Sequence, residues 1–162
     1  MNFWKYKNLT TASLWAVVLF LTSVVLRSIA VARLPEGREF VGDYLHLVIA
    51  KNFGFVFSIP LPLWMILTLS LVVLGLVSWI YVWVIWRTDY PKLLSVGFGL
   101  ITGGALSNFF ERAQHGHVID YLQISVFGLT GAWNIADVGI IVGIILWIVS
   151  SSSPYALKKR DD

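Results

Sequence analysis

An all-α membrane protein is predicted here: four transmembrane helices with both termini cytoplasmic, and a small extracytoplasmic β platform. Three observations predict it. The chain of 162 residues is 57% hydrophobic and 13% charged, with a mean hydropathy of +0.77, whereas soluble domains carry roughly 25% charged residues. Four apolar segments approach the roughly 20 residues that span a bilayer. Lysine and arginine divide unequally between the two sides of those segments.

The predicted spans are residues 12–32, 63–86, 93–110 and 133–150, with outer loops at 33–62 and 111–132, all in one integral membrane domain. Arg27 alone interrupts the first. Pro60 and Pro62 place the start of the second near Leu63. Trp64 at one of its ends, and Trp79, Tyr81, Trp83 and Trp86 at the other, read as interfacial aromatic belts. Lys5, Lys7, Arg87, Lys92, Lys158, Lys159 and Arg160 fall on one side, against Arg33, Arg38, Lys51 and Arg112 on the other. Seven against four puts the termini inside. Lys5 and Lys7, the apolar run and Ala30-Val31-Ala32 imitate a cleavable signal peptide, but Arg27 beside the small residues and the length of the run favour a retained span.

The outer loops are patterned. Glu39 to Ala50 and His117 to Phe127 are rich in β-branched and aromatic residues in partial alternation, which predicts short strands. There is no internal repeat, and the serines at 150–153 mark the end of the last helix. The chain lacks cysteine, which removes disulfides, thiolate metal sites and a cysteine nucleophile. The net charge of +3 sits mostly at the ends and in one short loop, and no nucleic-acid motif accompanies it.

Polar residues gather at one predicted depth. Asn108, Glu111 and Arg112 end the third span at i, i+3 and i+4, on one helix face. Asn134 and Asp137 open the fourth at i and i+3. Asp120 lies on the strand-like segment between them, and Asn52 leads into Gly54 ahead of the second span. An aspartate in an apolar helix is costly and needs a reason. Two carboxylates at close range share a proton, so one can activate water while its protonated partner donates to a carbonyl oxygen. That is aspartic protease chemistry, with no cofactor and no metal.

Plainer readings exist for each residue. Asp137 can serve the positive end of its helix, Asp120 can be a solvated loop residue, and Glu111 with Arg112 can form an interfacial ion pair. His46, His115 and His117 lack a recognisable ligand pattern and read as loop residues. Gly99 and Gly103 form a small-xxx-small pair suited to close helix packing.

At these residues the chain resembles bacterial lipoprotein signal peptidase, signal peptidase II. The family's Gly-Asn-x-x-Asp-Arg block is similar to the stretch Gly103 to Arg112. Its Val-Asp-Phe block is similar to Val118-Ile-Asp-Tyr-Leu122, and its Phe-Asn-x-Ala-Asp-Ser block to Trp133-Asn-Ile-Ala-Asp-Val138. Its Asn-x-Gly-Ala-Ala block maps more loosely onto Asn52-Phe-Gly-Phe-Val56. The resemblance implies catalytic Asp120 and Asp137, with Asn52, Gly54, Asn108, Arg112 and Asn134 binding substrate. It implies an intramembrane aspartic endopeptidase of the bacterial cytoplasmic (inner) membrane, active at the extracytoplasmic face. Its partners would be a lipid-modified prolipoprotein, cleaved before the lipobox cysteine, and membrane lipids; the protein would be a monomer without nucleic acid.

Departures accompany the match. Ser23 stands where the family carries an acid, with Arg27 for its lysine. Glu111 replaces an aspartate, Ser107 a glycine and Val138 a serine, and Phe55 with Val56 replaces two small residues. An inactive relative that binds lipoprotein precursors or partner helices is the alternative these changes raise. A small ion or proton transporter is a third reading, opposed by the lack of paired broken helices.

Overall fold

The computed structural model describes residues 3–34, 45–55, 58–87, 92–126 and 129–152. Arg38, the stretch 39–44, Val56, Phe57, Phe127, Ser153 and the basic residues Lys158, Lys159 and Arg160 lie outside the described residues. The order is α1 (Phe3–Arg33), β1 (Leu45–Asn52), α2 (Leu63–Arg87), α3 (Lys92–His115), β2 (Val118–Val126), β3 (Leu129–Trp133) and α4 (Ile135–Ser151).

Three helices are long and apolar enough to cross a membrane, and α4 is a shorter apolar helix of 17 residues. At 1.5 Å per residue α4 is about 26 Å long. Their outward faces are apolar: Leu71, Val72, Trp79 and Ile148 are all more than half exposed, as expected where lipid tails replace water as solvent.

The centre of the bundle is α3, which packs most extensively on α1 and α4. Its glycines allow this. A Cβ at Gly103 would collide with the Ala16 backbone of α1, and one at Gly104 would lie 2.5 Å from the Ala136 carbonyl oxygen of α4. Lipid tails are as apolar as leucine, so helices associate through such close backbone packing. The helix α2 begins where predicted, because the Pro62 carbonyl accepts from the amides of Met65 and Ile66.

Tyr81 departs from its predicted place in the aromatic belt. It is buried, stacks on Phe98 at 3.9 Å, donates its hydroxyl to the Asn8 carbonyl, and has the Ser95 hydroxyl 2.9 Å from its oxygen. An aromatic ring with a polar tip serves a wet interface or a satisfied interior equally well; its neighbours Trp79, Trp83 and Trp86 are exposed.

The strands form one antiparallel sheet in the order β1-β2-β3. Asn52 pairs with Val118 and Ala50 with Asp120, with an irregularity between Leu47 and Ala50. Leu122 pairs with Trp133. The sequence does not predict β3: Thr130, Gly131 and Ala132 carry little strand signal, and Trp133 reads as the start of a span. The predicted boundary at 133 therefore moves to Ile135. The third helix also outruns its predicted end at Phe110, so Arg112 lies buried within it and carries no loop charge.

Candidate active site

The site is assembled at one end of α3. Asn134 is the N-cap of α4, and its side-chain oxygen accepts from the Asp137 amide at 3.1 Å. In return Asp137 Oδ2 accepts the Asn134 amide at 3.1 Å. This reciprocal box satisfies donors that a helix N-terminus leaves open. It also corrects the sequence expectation that both residues share a helical face: Asn134 is extended, and only Asp137 is helical.

The other oxygen of Asp137, Oδ1, accepts from Asn108 Nδ2 at 2.7 Å. Asn134 Nδ2 then reaches Asp120 Oδ1 at 2.8 Å and Asn108 Oδ1 at 3.2 Å. Asp120 Oδ2 accepts from Asn52 Nδ2 at 3.0 Å. Each of the four carboxylate oxygens thus has a donor, and three asparagines from three different segments join the two acids into one network. Such connected polar networks fix geometry when every member is satisfied.

Asp120 is 2% exposed, while Asp137 is half-buried. Burial, reinforced by the neighbouring Asp137 carboxylate, raises Asp120 to about 6 against the lowering effect of Asn52, Asn134 and Arg112. A carboxyl group in that range keeps a proton far longer than an exposed aspartate would.

Gly54 and Arg112 support this centre. The Gly54 amide donates to Asn52 Oδ1 at 3.0 Å, and Arg112 Nη2 donates to the Gly54 carbonyl at 2.9 Å. Arg112 Nη1 lies 3.5 Å from the Asn108 carbonyl. Ser58, with φ of 59°, folds the chain back so closely that a Cβ at Gly54 would overlap its backbone. An open cleft of about 490 Å³ adjoins this turn, lined by Lys51, Asn52, Gly54, Ser58 and Pro60 among others.

Other expectations meet corrections. Glu111 does not pair with Arg112; adjacent helical residues point apart, and Glu111 faces Arg27 at 3.5 Å instead. His117 packs against Phe53 and His115, while His46 lies six residues up β1 from Asn52, about 20 Å away along a strand. Tyr121 escaped sequence reasoning. Its hydroxyl accepts the Ile135 amide at 3.2 Å, filling another open donor of α4; its place beside Asp120 was the only signal.

Outward-facing apolar helices and two carboxylates joined by shared asparagines describe a membrane protein with a paired-carboxylate candidate site. The chain belongs to the Signal peptidase (SPase) II family, whose profile matches residues 15–153. It is 34% identical over 144 residues to a lipoprotein signal peptidase of Pseudoalteromonas atlantica, covering 84% of this chain and 86% of that one. A relative of the same name from Rhodococcus jostii is 34% identical over 83% of this chain and 68% of its own length. One from Caulobacter vibrioides is 35% identical over 66% of this chain, which spans only 64% of that relative. A bacterial membrane enzyme solved by the in meso method shares the fold, with a TM-score of 0.75, 23% identity and 94% coverage of both chains.

Proposed function

We propose that this protein is an intramembrane aspartic endopeptidase that removes the signal peptide from diacylglyceryl-modified prolipoproteins, cutting before the lipobox cysteine. The observation that carries the reading is the asparagine network, which brings Asp120 and Asp137 into one electrostatic unit. Asp120, buried and raised to about 6, holds the shared proton. Asp137, the more open of the two, takes a proton from water as the water oxygen attacks the scissile carbonyl carbon. Asp120 donates to the carbonyl oxygen, giving a neutral tetrahedral diol. Collapse of that diol breaks the C–N bond as Asp137 passes its proton to the leaving nitrogen and Asp120 takes a diol hydroxyl proton. This yields the carboxylic acid and the free amine and restores both aspartates.

Asn108 and Asn134 orient the acids, and Asn52 with Gly54 borders the cleft that takes the peptide backbone. Arg112 acts beside the same cleft as a substrate-side residue and also shapes the Gly54 turn, through Nη2 on the Gly54 carbonyl at 2.9 Å. The charge count and the start of α4 at the sheet support a reading with four spans, cytoplasmic termini and a site at the outer face of the bacterial cytoplasmic membrane. Lipid chains of the substrate lie along the apolar helix faces beside membrane lipids, and a monomer contains every residue the reaction uses.

The test is a gel-shift assay of the purified protein with a diacylglyceryl-modified prolipoprotein. Cleavage that Asp120→Asn or Asp137→Asn abolishes supports the reading. No cleavage by the folded wild type across several lipobox substrates overturns it in favour of a precursor-binding relative.

A further inference from the structure

Behind the aspartates, α1 and α3 are joined by an ion pair. Arg27 Nη1 stands 3.5 Å from Glu111 Oε1, with side chains 21% and 8% exposed. The same oxygen accepts the Ile119 amide at 2.8 Å. Ile119 immediately precedes Asp120. One turn before Arg27, Ser23 bonds its hydroxyl to the Leu19 carbonyl of its own helix and so leaves the guanidinium to Glu111. A cavity no larger than about one water molecule remains between Ser23, Arg27, Tyr121 and Asn134.

We infer that Arg27 and Glu111 are positioning residues for Asp120, an assignment that rests on the proposed peptidase reading. The guanidinium holds the Glu111 carboxylate, and that carboxylate holds the Ile119 amide, which sets how β2 delivers Asp120 to the pair. The arrangement favours geometry over stability. Buried ion pairs add little net stability because desolvation offsets attraction, yet loss of one partner strands the other. A charge-assisted bond to a backbone amide is, by contrast, short and directional. Glu111→Asp would withdraw the carboxylate by about 1.5 Å, one C–C bond, and cannot keep both contacts.

The full chain in detergent tests this, using Arg27→Gln, Glu111→Gln and the double variant, with Arg27→Lys as the charge-keeping control. The expected result is that each Gln variant lowers kcat about tenfold or more with KM within roughly twofold. The double variant should lose no more than Glu111→Gln alone, because Arg27 acts through Glu111. Arg27→Lys should stay closer to the wild type. Amide exchange over residues 118–121, read by mass spectrometry, should accelerate in both Gln variants while the α3–α4 contact region keeps its protection.

Wild-type kcat in the Gln variants, or multiplicative losses with unchanged exchange at 118–121, overturns the inference. Should a Gln variant fail to fold, Arg27→Lys and Glu111→Asp carry the test: faster exchange at 118–121 in Glu111→Asp supports the assignment, and wild-type exchange with wild-type kcat overturns it. A wild type that cleaves nothing removes the peptidase reading, while the exchange measurement still reports whether the ion pair orders β2.

Discussion

Asn108 donates from Nδ2 to Asp137 Oδ1 over 2.7 Å, tying the end of α3 to the first turn of α4. The bond crosses between two helices whose backbones meet at Gly104 and Ala136. Its length and its charged acceptor put it among the stronger hydrogen bonds a protein makes. Asn108→Ala should lower kcat by about tenfold to a hundredfold, the equivalent of roughly 1.5–3 kcal/mol for a bond to a charged group. Unchanged steady-state kinetics would remove Asn108 from the site.

Asp120 and Asp137 differ in surroundings, and the proposed mechanism gives each one half of the proton transfer. Asp120→Asn and Asp137→Asn should each reduce cleavage by roughly a hundredfold to ten-thousandfold. Folded yield by size-exclusion chromatography should change little, since the amide keeps the shape of the carboxyl. Cleavage retained by either variant would sink the dyad mechanism.

Asn134 does two separable jobs. Its oxygen caps α4 while its Nδ2 reaches Asp120. Asn134→Ser keeps a capping oxygen and loses the Asp120 contact, whereas Asn134→Ala loses both. Both variants should lose turnover, but only the alanine should also lose about 1 kcal/mol of stability. Equal thermal midpoints in the two variants would contradict this division.

The elevated affinity of Asp120 for its proton makes two pH statements. In the folded protein it titrates near 6, above the ordinary carboxylate value of 3.8. The folded state therefore binds more protons than the unfolded state between these values. Its stability is greatest below about 4, declines through 6 and is flat above, as far as this group is concerned. The same titration should give cleavage an alkaline limb with an apparent pKa near 6 that belongs to the pair. A pH-rate profile level from 5 to 8 would exclude Asp120 as proton donor.

The approach of α3 to α4 is set by glycine. Gly104→Ala places a Cβ 2.5 Å from the Ala136 carbonyl oxygen, so α4 must shift, and Asp137 is the next residue. The expected cost is about 1–3 kcal/mol of overpacking together with a fall in kcat. Gly75 is the control, since a Cβ added there would meet nothing within 4 Å: Gly75→Ala should leave both unchanged. Equal behaviour of the two variants, in a melt and an assay run side by side, would refute the packing argument.

Much of this protein is written in local pattern. Apolar runs located the helices, because a bilayer demands about 20 such residues whatever the fold. Pro60 and Pro62 located the start of α2, because proline cannot continue a helix backwards. Alternation located β1 and β2. The seven nominated residues, Asn52, Gly54, Asn108, Arg112, Asp120, Asn134 and Asp137, all lie in the one connected cluster, since rare polar groups in an apolar chain share a common destination. Tertiary structure decided the rest. Which asparagine faces which aspartate depends on how α3 and the sheet meet, and no spacing along the chain encodes it. The burial of Tyr81, the strand Leu129–Trp133 and the partnership of Glu111 with Arg27 likewise arise only when distant segments pack, because the same side chains would satisfy other neighbours in a different arrangement.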